Sequence, residues 1–161
     1  MSIFVKASAP VAAKNIWATR VAIGFAGLLV VMIVAQLYSF EHFLLIMRDF
    51  ALPGGVPASY FLAAFIVAAE LLALPFLLRM QLSIAMRWLS MVLGWLVAAT
   101  WLGIIVFLMA TESTVTNSGL MGDVVAIAPG VVSVIWALAL VVLASISAWG
   151  MWPARPKNAR R

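Results

Sequence analysis

Residues 59–78 read SYFLAAFIVAAELLALPFLL, an apolar run with one charged side chain, Glu70, near its middle. At about 1.5 Å of rise per residue, a helix of that length matches a hydrocarbon core of about 30 Å. Three other runs share this character: Val21–Leu37, Trp88–Ala110 and Gly130–Met151. Composition agrees, with 66% hydrophobic and only 9% charged residues in 161, far from the balance of a soluble domain. The chain therefore predicts an all-α integral membrane four-helix bundle over residues 21–152, with helices at about 21–40, 59–78, 88–110 and 130–151. A segment 1–20 precedes it, and a basic tail, 153–161, expected to be disordered, follows it.

The charges are partitioned along the chain. Lys6, Lys14 and Arg20 precede the first run, Arg79 and Arg87 separate the second and third, and Arg155, Lys157, Arg160 and Arg161 follow the fourth. The other two connections hold Glu41, Asp49, Glu112 and Asp123 against the single Arg48. Lys and Arg concentrate in loops kept on the cytoplasmic side, so both termini are expected inside and the acidic loops outside. The net charge of +5 then reads as a topology signal that also attracts anionic lipid headgroups. It does not indicate nucleic acid, for which no folded basic surface exists. The first run is expected to be a retained helix, since no small-x-small cleavage pattern follows it before Gln36 and Tyr38.

There is no cysteine. The chain by itself thus performs no thiol–disulfide exchange and binds no Cys-ligated iron–sulfur cluster. It also shows no phosphate-cradling glycine loop, no acidic pair within a span and no nucleophile–histidine–acid set in one element, so direct catalysis by this chain alone has little support.

Between the runs, Phe40, Phe43, Leu44, Met47 and Phe50 recur at helical spacing with Glu41, His42, Arg48 and Asp49 on other faces. This predicts that helix one runs on, or breaks into a short helix at the outer interface, until Leu52-Pro53-Gly54-Gly55-Val56-Pro57 ends it. The connection 79–87 is short, which makes its two helices antiparallel neighbours. The connection 111–129 is rich in Ser, Thr, Asn and Gly and reads as irregular. Trp17, Trp88, Trp149 and Trp152 fall at the inner ends and Tyr38, Tyr60 and Phe61 at the outer ends, as interfacial belts require. Helix contacts are expected at Gly24 and Gly27, at Ser90, Gly94 and Ala98, and at Ser133, Ala137 and Val141, then Ala144 and Ala148.

Glu70 is the one ionisable side chain deep in a span. An unpaired carboxylate there costs several kcal/mol, and no Lys or Arg lies inside another span to pair with it. It is expected to be neutral and to face the bundle, with Thr100, Ser145, Ser90 or loosened backbone as partners. Pro75 supplies such backbone, because it cannot donate to the carbonyl of Leu71 and kinks the helix within a turn of Glu70. Two readings stand side by side: a proton relay or polar anchor for a quinone or lipid, lined by Trp95, Thr100 and Trp101, and a buried hydrogen bond that locks packing. Gln36 reads as a second structural polar group. Glu41, His42 and Asp49 form the one outer cluster with metal-ligating residue types, but one histidine and this spacing match no common site, and a solvated surface is the favoured reading.

The segments Tyr38-Ser39-Phe40, Leu52-Pro53-Gly54-Gly55-Val56-Pro57 and Ala68-Ala69-Glu70-Leu71-Leu72-Ala73-Leu74 resemble the DoxX/MauE-like superfamily of small four-helix membrane proteins. There an aromatic end of helix one, a Gly/Pro turn and a mid-span glutamate on helix two occur in this order. Members often carry lysine near the outer end of helix one, where this chain has Gln36. The resemblance implies a location in the bacterial cytoplasmic membrane and an accessory role beside redox enzymes. Family members are associated with thiosulfate:quinone oxidoreductase, maturation of periplasmic amine dehydrogenases and complexes that handle oxidative stress. Of the site residues it carries over Glu70. The leading expectation is a non-catalytic subunit or assembly factor of a larger membrane or periplasmic complex, with no intrinsic cofactor. The alternatives are a quinone- or lipid-binding subunit that transfers protons or electrons through Glu70, and a small transporter subunit.

Overall fold

A computed structural model describes residues 15–152. Residues 1–14 of the predicted segment 1–20, with Lys6 and Lys14, and the tail from Pro153, with Arg155, Lys157, Arg160 and Arg161, lie outside the described residues. The fold is all-helical: α1 (Ile16–Tyr38), α2 (Phe40–Asp49), α3 (Gly55–Leu77), α4 (Ile84–Ala110) and α5 (Val131–Gly150). Four of the five, all but α2, are long and apolar enough to cross a membrane.

The four long helices form a ring. α3 packs on α4, α4 on α5, and α1 closes the circle against α3 and α5, while α2 lies across α3 and α1. The start of α1 meets the end of α5, where Ala18 packs directly against Gly150 with no room for a Cβ. The start of α1 and the end of α5 therefore share one end of the bundle, called the terminal end. The opposite end, the loop end, carries α2 and the connection 111–130.

α1, α3 and α4 begin four or five residues before their apolar runs, α1 and α4 by side-chain caps that extend them through polar residues. Asn15 accepts from Trp17 N at 3.0 Å to start α1, and Ser83 accepts from Met86 N at 3.3 Å to start α4. Each satisfies one of the N–H groups that a helix start leaves open. Arg87, expected in a connection, thus lies in the first turns of α4 and is largely buried. α3 starts at Gly55 and takes Pro57 into its first turn, where no N–H is needed. Ser39, at φ −133° and ψ 60°, breaks α1 from α2. The predicted interfacial segment is therefore a separate fifth helix, with Phe43 and Met47 turned inward.

The predicted contact residues Gly24 and Gly27 face outward, and a Cβ at either would touch nothing. The contact stripe of α1 is instead Ala18, Ala22, Phe25, Ala26, Leu29, Met32 and Gln36. α1 is apolar on all sides, so its rotation is set by the four-residue ladder of alanines that lets α3 and α5 come close. Gly94 does lie at a contact, 3.5 Å from Ala73 by its would-be Cβ, flanked by buried Ser90 and Ala98. Ser133, Ala137, Ala144 and Ala148 are buried on α5. On the outer flanks Val31, Val34, Leu71, Val106, Val132, Ile135 and Val142 are each more than half exposed. That surface is costly in water and neutral in hydrocarbon.

Candidate functional site: a buried Gln36–Glu70–Trp101 triad

The polar centre of the bundle is assembled from three helices. Glu70 of α3, Gln36 of α1 and Trp101 of α4 are all 0% exposed. Glu70 Oε1 accepts from Trp101 Nε1 at 3.1 Å and from Gln36 Nε2 at 3.3 Å. The same Gln36 amide nitrogen donates to the carbonyl of Leu120 at 3.3 Å, reaching into the 111–130 connection. The orientation of the Gln36 amide follows from its neighbours. Its nitrogen faces two oxygens that need donors, and the flipped amide would set oxygen against the Leu120 carbonyl.

Two atoms are left over. Glu70 Oε2 and Gln36 Oε1 are buried and have no hydrogen-bond partner. Each is the second polar atom of a side chain whose first atom makes the Gln36–Glu70 bond. Buried acceptors without partners are rare, and a water or ligand normally completes them.

Above this centre, a strap formed by residues 117–123 covers the loop end. Asn117 organises it, accepting from Gly119 N at 3.0 Å and donating to Gly122 O at 2.9 Å, while Ser118 N donates to Ile127 O at 2.7 Å. Gly122, at φ +57°, rests on α1 so closely that a Cβ would fall 2.7 Å from Ala35 O and 2.9 Å from Gln36 Cα. Only glycine allows both this left-handed backbone and this approach. Gly119 packs over Phe43, Ile46 and Phe50 and ties the strap to α2. On the exposed rim, His42 Nδ1 and Asp123 Oδ2 are 3.0 Å apart and join α2 to the strap a second time.

None of the side chains expected to bond Glu70 does so. Ser90 Oγ accepts from Phe76 N at 3.0 Å and donates to Leu72 O at 2.6 Å, so a hydroxyl of α4 is inserted into the backbone ladder of α3 just past Pro75. Ser145 donates back to Val141 O at 2.6 Å. Thr100 is half-buried and is not among the side chains that hydrogen-bond Glu70. Trp95 is 40% exposed and lines an open groove of about 400 Å³ with Ser145, Ala148, Trp149 and Trp152 near the terminal end, apart from Trp101. The set Trp95, Thr100 and Trp101 expected around a ligand at Glu70 thus divides. Only Trp101 reaches the carboxyl, because helix register turns residues 95 and 101 to different faces of α4.

Among the described residues, no group of three or more His, Asp or Glu is placed to hold a metal ion. Glu41, His42 and Asp49 are all exposed; His42 faces Asp123, and Asp49 accepts from Arg48 at 3.1 Å. The strap contribution was not anticipated from sequence. Its signal was the pair Gly119 and Gly122 beside Asn117 in a connection otherwise read only as irregular. No family model, curated protein or solved structure matches this chain.

Proposed function

We propose that this chain is a non-catalytic membrane subunit, a scaffold or assembly factor, of a bacterial redox or envelope complex in the cytoplasmic membrane. The observation that carries the reading is the placement of its polar groups. Glu70, the one acid within the spans, is sealed inside and bonded by both neighbouring helices. The flanks offered to the surroundings are apolar, as suits lipid or another membrane subunit. Among the described residues, little chain lies outside the helices. The reading orients the loop end outward. In its support, Arg20, Arg79 and Arg87 lie toward the terminal end, and Glu41, Asp49, Glu112 and Asp123 lie toward the loop end.

The test is extraction of the tagged full chain in a mild detergent, followed by native mass spectrometry. A redox enzyme of the membrane or periplasm held at fixed stoichiometry is the expected result. Purification of the chain alone, with a quinone retained at Glu70, would overturn it in favour of a ligand-binding subunit. A C-terminal reporter active only in the cytoplasm checks the orientation.

A further inference from the structure

We propose that the groove between α4 and α5 at the terminal end binds an anionic phospholipid, an acyl chain against its tryptophans and the phosphate at its basic mouth. The inference is independent of the accessory reading, since it requires only that the long helices lie in lipid.

The groove has a volume of about 400 Å³ and is lined by Trp95 of α4, by Ser145, Ala148 and Trp149 of α5, and by Trp152 just beyond. Its walls are indole and alanine, and Ser145 spends its hydroxyl donor on Val141 O at 2.6 Å. Such walls offer van der Waals contact and little else, which suits a hydrocarbon chain. The three indoles remain 40%, 61% and 44% exposed in residue order, so the helices of this chain do not cover them.

The groove has a mouth and a depth. Trp88 meets Trp152 edge-on with ring centroids 4.9 Å apart, which places both at one level, the mouth. Trp95 lies seven residues further along α4, about 10 Å deeper at about 1.5 Å per residue. The groove thus runs from the level where tryptophan sits among headgroups into the hydrocarbon. A molecule that follows it has one polar end and one apolar end, as a phospholipid does.

Charge selects the polar end. Arg87 precedes Trp88, and Arg155 and Lys157 follow Trp152 by three and five residues. A chain spans at most about 3.6 Å per residue, so Arg155 is held within about 11 Å of Trp152 and Lys157 within about 18 Å, in any conformation. Neither α4 nor α5 carries an acidic side chain, and none occurs from Val124 to Arg161. Basic residues set at the membrane surface in this way recruit acidic headgroups. A second groove of about 420 Å³, lined along α1 by Val30, Val34, Tyr38 and Val124, is as apolar, but its neighbour in the chain is Asp123. Only the tryptophan groove joins an apolar wall to a basic mouth.

The experiment places the full chain in phosphatidylcholine vesicles and replaces part of the lipid by phosphatidylglycerol with brominated acyl chains, a contact quencher of tryptophan fluorescence. Brominated phosphatidylcholine is the matched control, and the signal of the groove is the part lost in Trp95→Phe. Half of that signal is expected to be quenched at a several-fold lower fraction of brominated phosphatidylglycerol than of brominated phosphatidylcholine. Arg155→Gln with Lys157→Gln is expected to abolish this difference and leave quenching by phosphatidylcholine as it was. Ser145→Leu is expected to weaken both by filling the groove. Equal quenching by the two lipids in the unaltered chain overturns the proposal, since it marks ordinary contact with surrounding lipid. So does a preference that survives the double substitution. Quenching that rises alike for both lipids when residues 154–161 are removed also overturns it, because the tail would then be the occupant.

Discussion

The hydroxyl of Ser90 on α4 accepts from the N–H of Phe76 and donates to the carbonyl of Leu72 on α3, bridging two backbone groups one helical turn apart. Pro75, one residue before Phe76, withholds the N–H that would reach the carbonyl of Leu71, and Ser90 ties the adjoining turn of α3 to the neighbouring helix. Ser90→Ala is expected to destabilise the bundle by about 1–3 kcal/mol, since a buried N–H and carbonyl lose their partner. Adding Pro75→Ala should recover part of the loss by letting the ladder close on itself. Unfolding in mixed micelles measures both, and additive effects would show that Ser90 and Pro75 do not work as a unit.

Gln36 and Glu70 should be energetically coupled. In a double-mutant cycle with Gln36→Leu and Glu70→Leu, a coupling of about 0.6 to 1.7 kcal/mol is expected, the range of interhelical hydrogen bonds in membrane proteins. Gln36→Leu alone also strips the donor from the Leu120 carbonyl, so its effect should be visible as faster hydrogen exchange in the strap.

Trp101 contributes both bulk and an N–H, and two substitutions separate them. Trp101→Phe keeps most of the ring and drops the bond to Glu70, for an expected loss of about 1 kcal/mol. Trp101→Ala opens a cavity at the centre of the core and should cost about 3–5 kcal/mol. Equal effects would mean that the hydrogen bond carries the whole contribution.

Gly122→Ala forces a Cβ into the backbone of Ala35 and Gln36 and strains a left-handed residue. The expected result is a strap that lifts from α1 while the helices stay intact. It is read as a selective gain in exchange at the amides of Ser118 and Gly122, with amides inside α3 and α4 unchanged.

Glu112 follows the end of α4 with φ +48° and an exposed side chain. A left-handed exit from a helix favours glycine, so Glu112→Gly should raise stability by about 1 kcal/mol. A loss of stability would indicate that the Glu112 side chain contributes something its exposure does not reveal.

The spans were legible because their length and lack of charge need no knowledge of neighbours. Glu70 was legible for the same reason: one acid in an apolar run stands out wherever its helix points. Its partners were not. Thr100, Ser145 and Ser90 were as plausible as Gln36 and Trp101, because helices that are apolar on every side give no sign of their rotation. Gly24 and Gly27 misled for that reason, while the alanines at 18, 22 and 26 passed as ordinary apolar residues. The strap was hidden by distance, since nothing local in residues 117–123 says that they rest on Gln36, more than eighty positions earlier.

The groups that satisfy α3 are supplied by both earlier and later parts of the chain, and this bears on how the protein is made. Gln36 has left the ribosome when α3 emerges, but Ser90 and Trp101 have not. For a time α3 must enter the bilayer without Ser90 on the turn beside Pro75 and with its acid served by α1 alone. Biosynthesis thus has a vulnerable interval, closed only when α4 arrives, during which α1 and α3 have reason to remain paired beside the insertion machinery. A stalled chain ending before Ser90 should be retained there, and one extended past Trp101 should be released into the lipid.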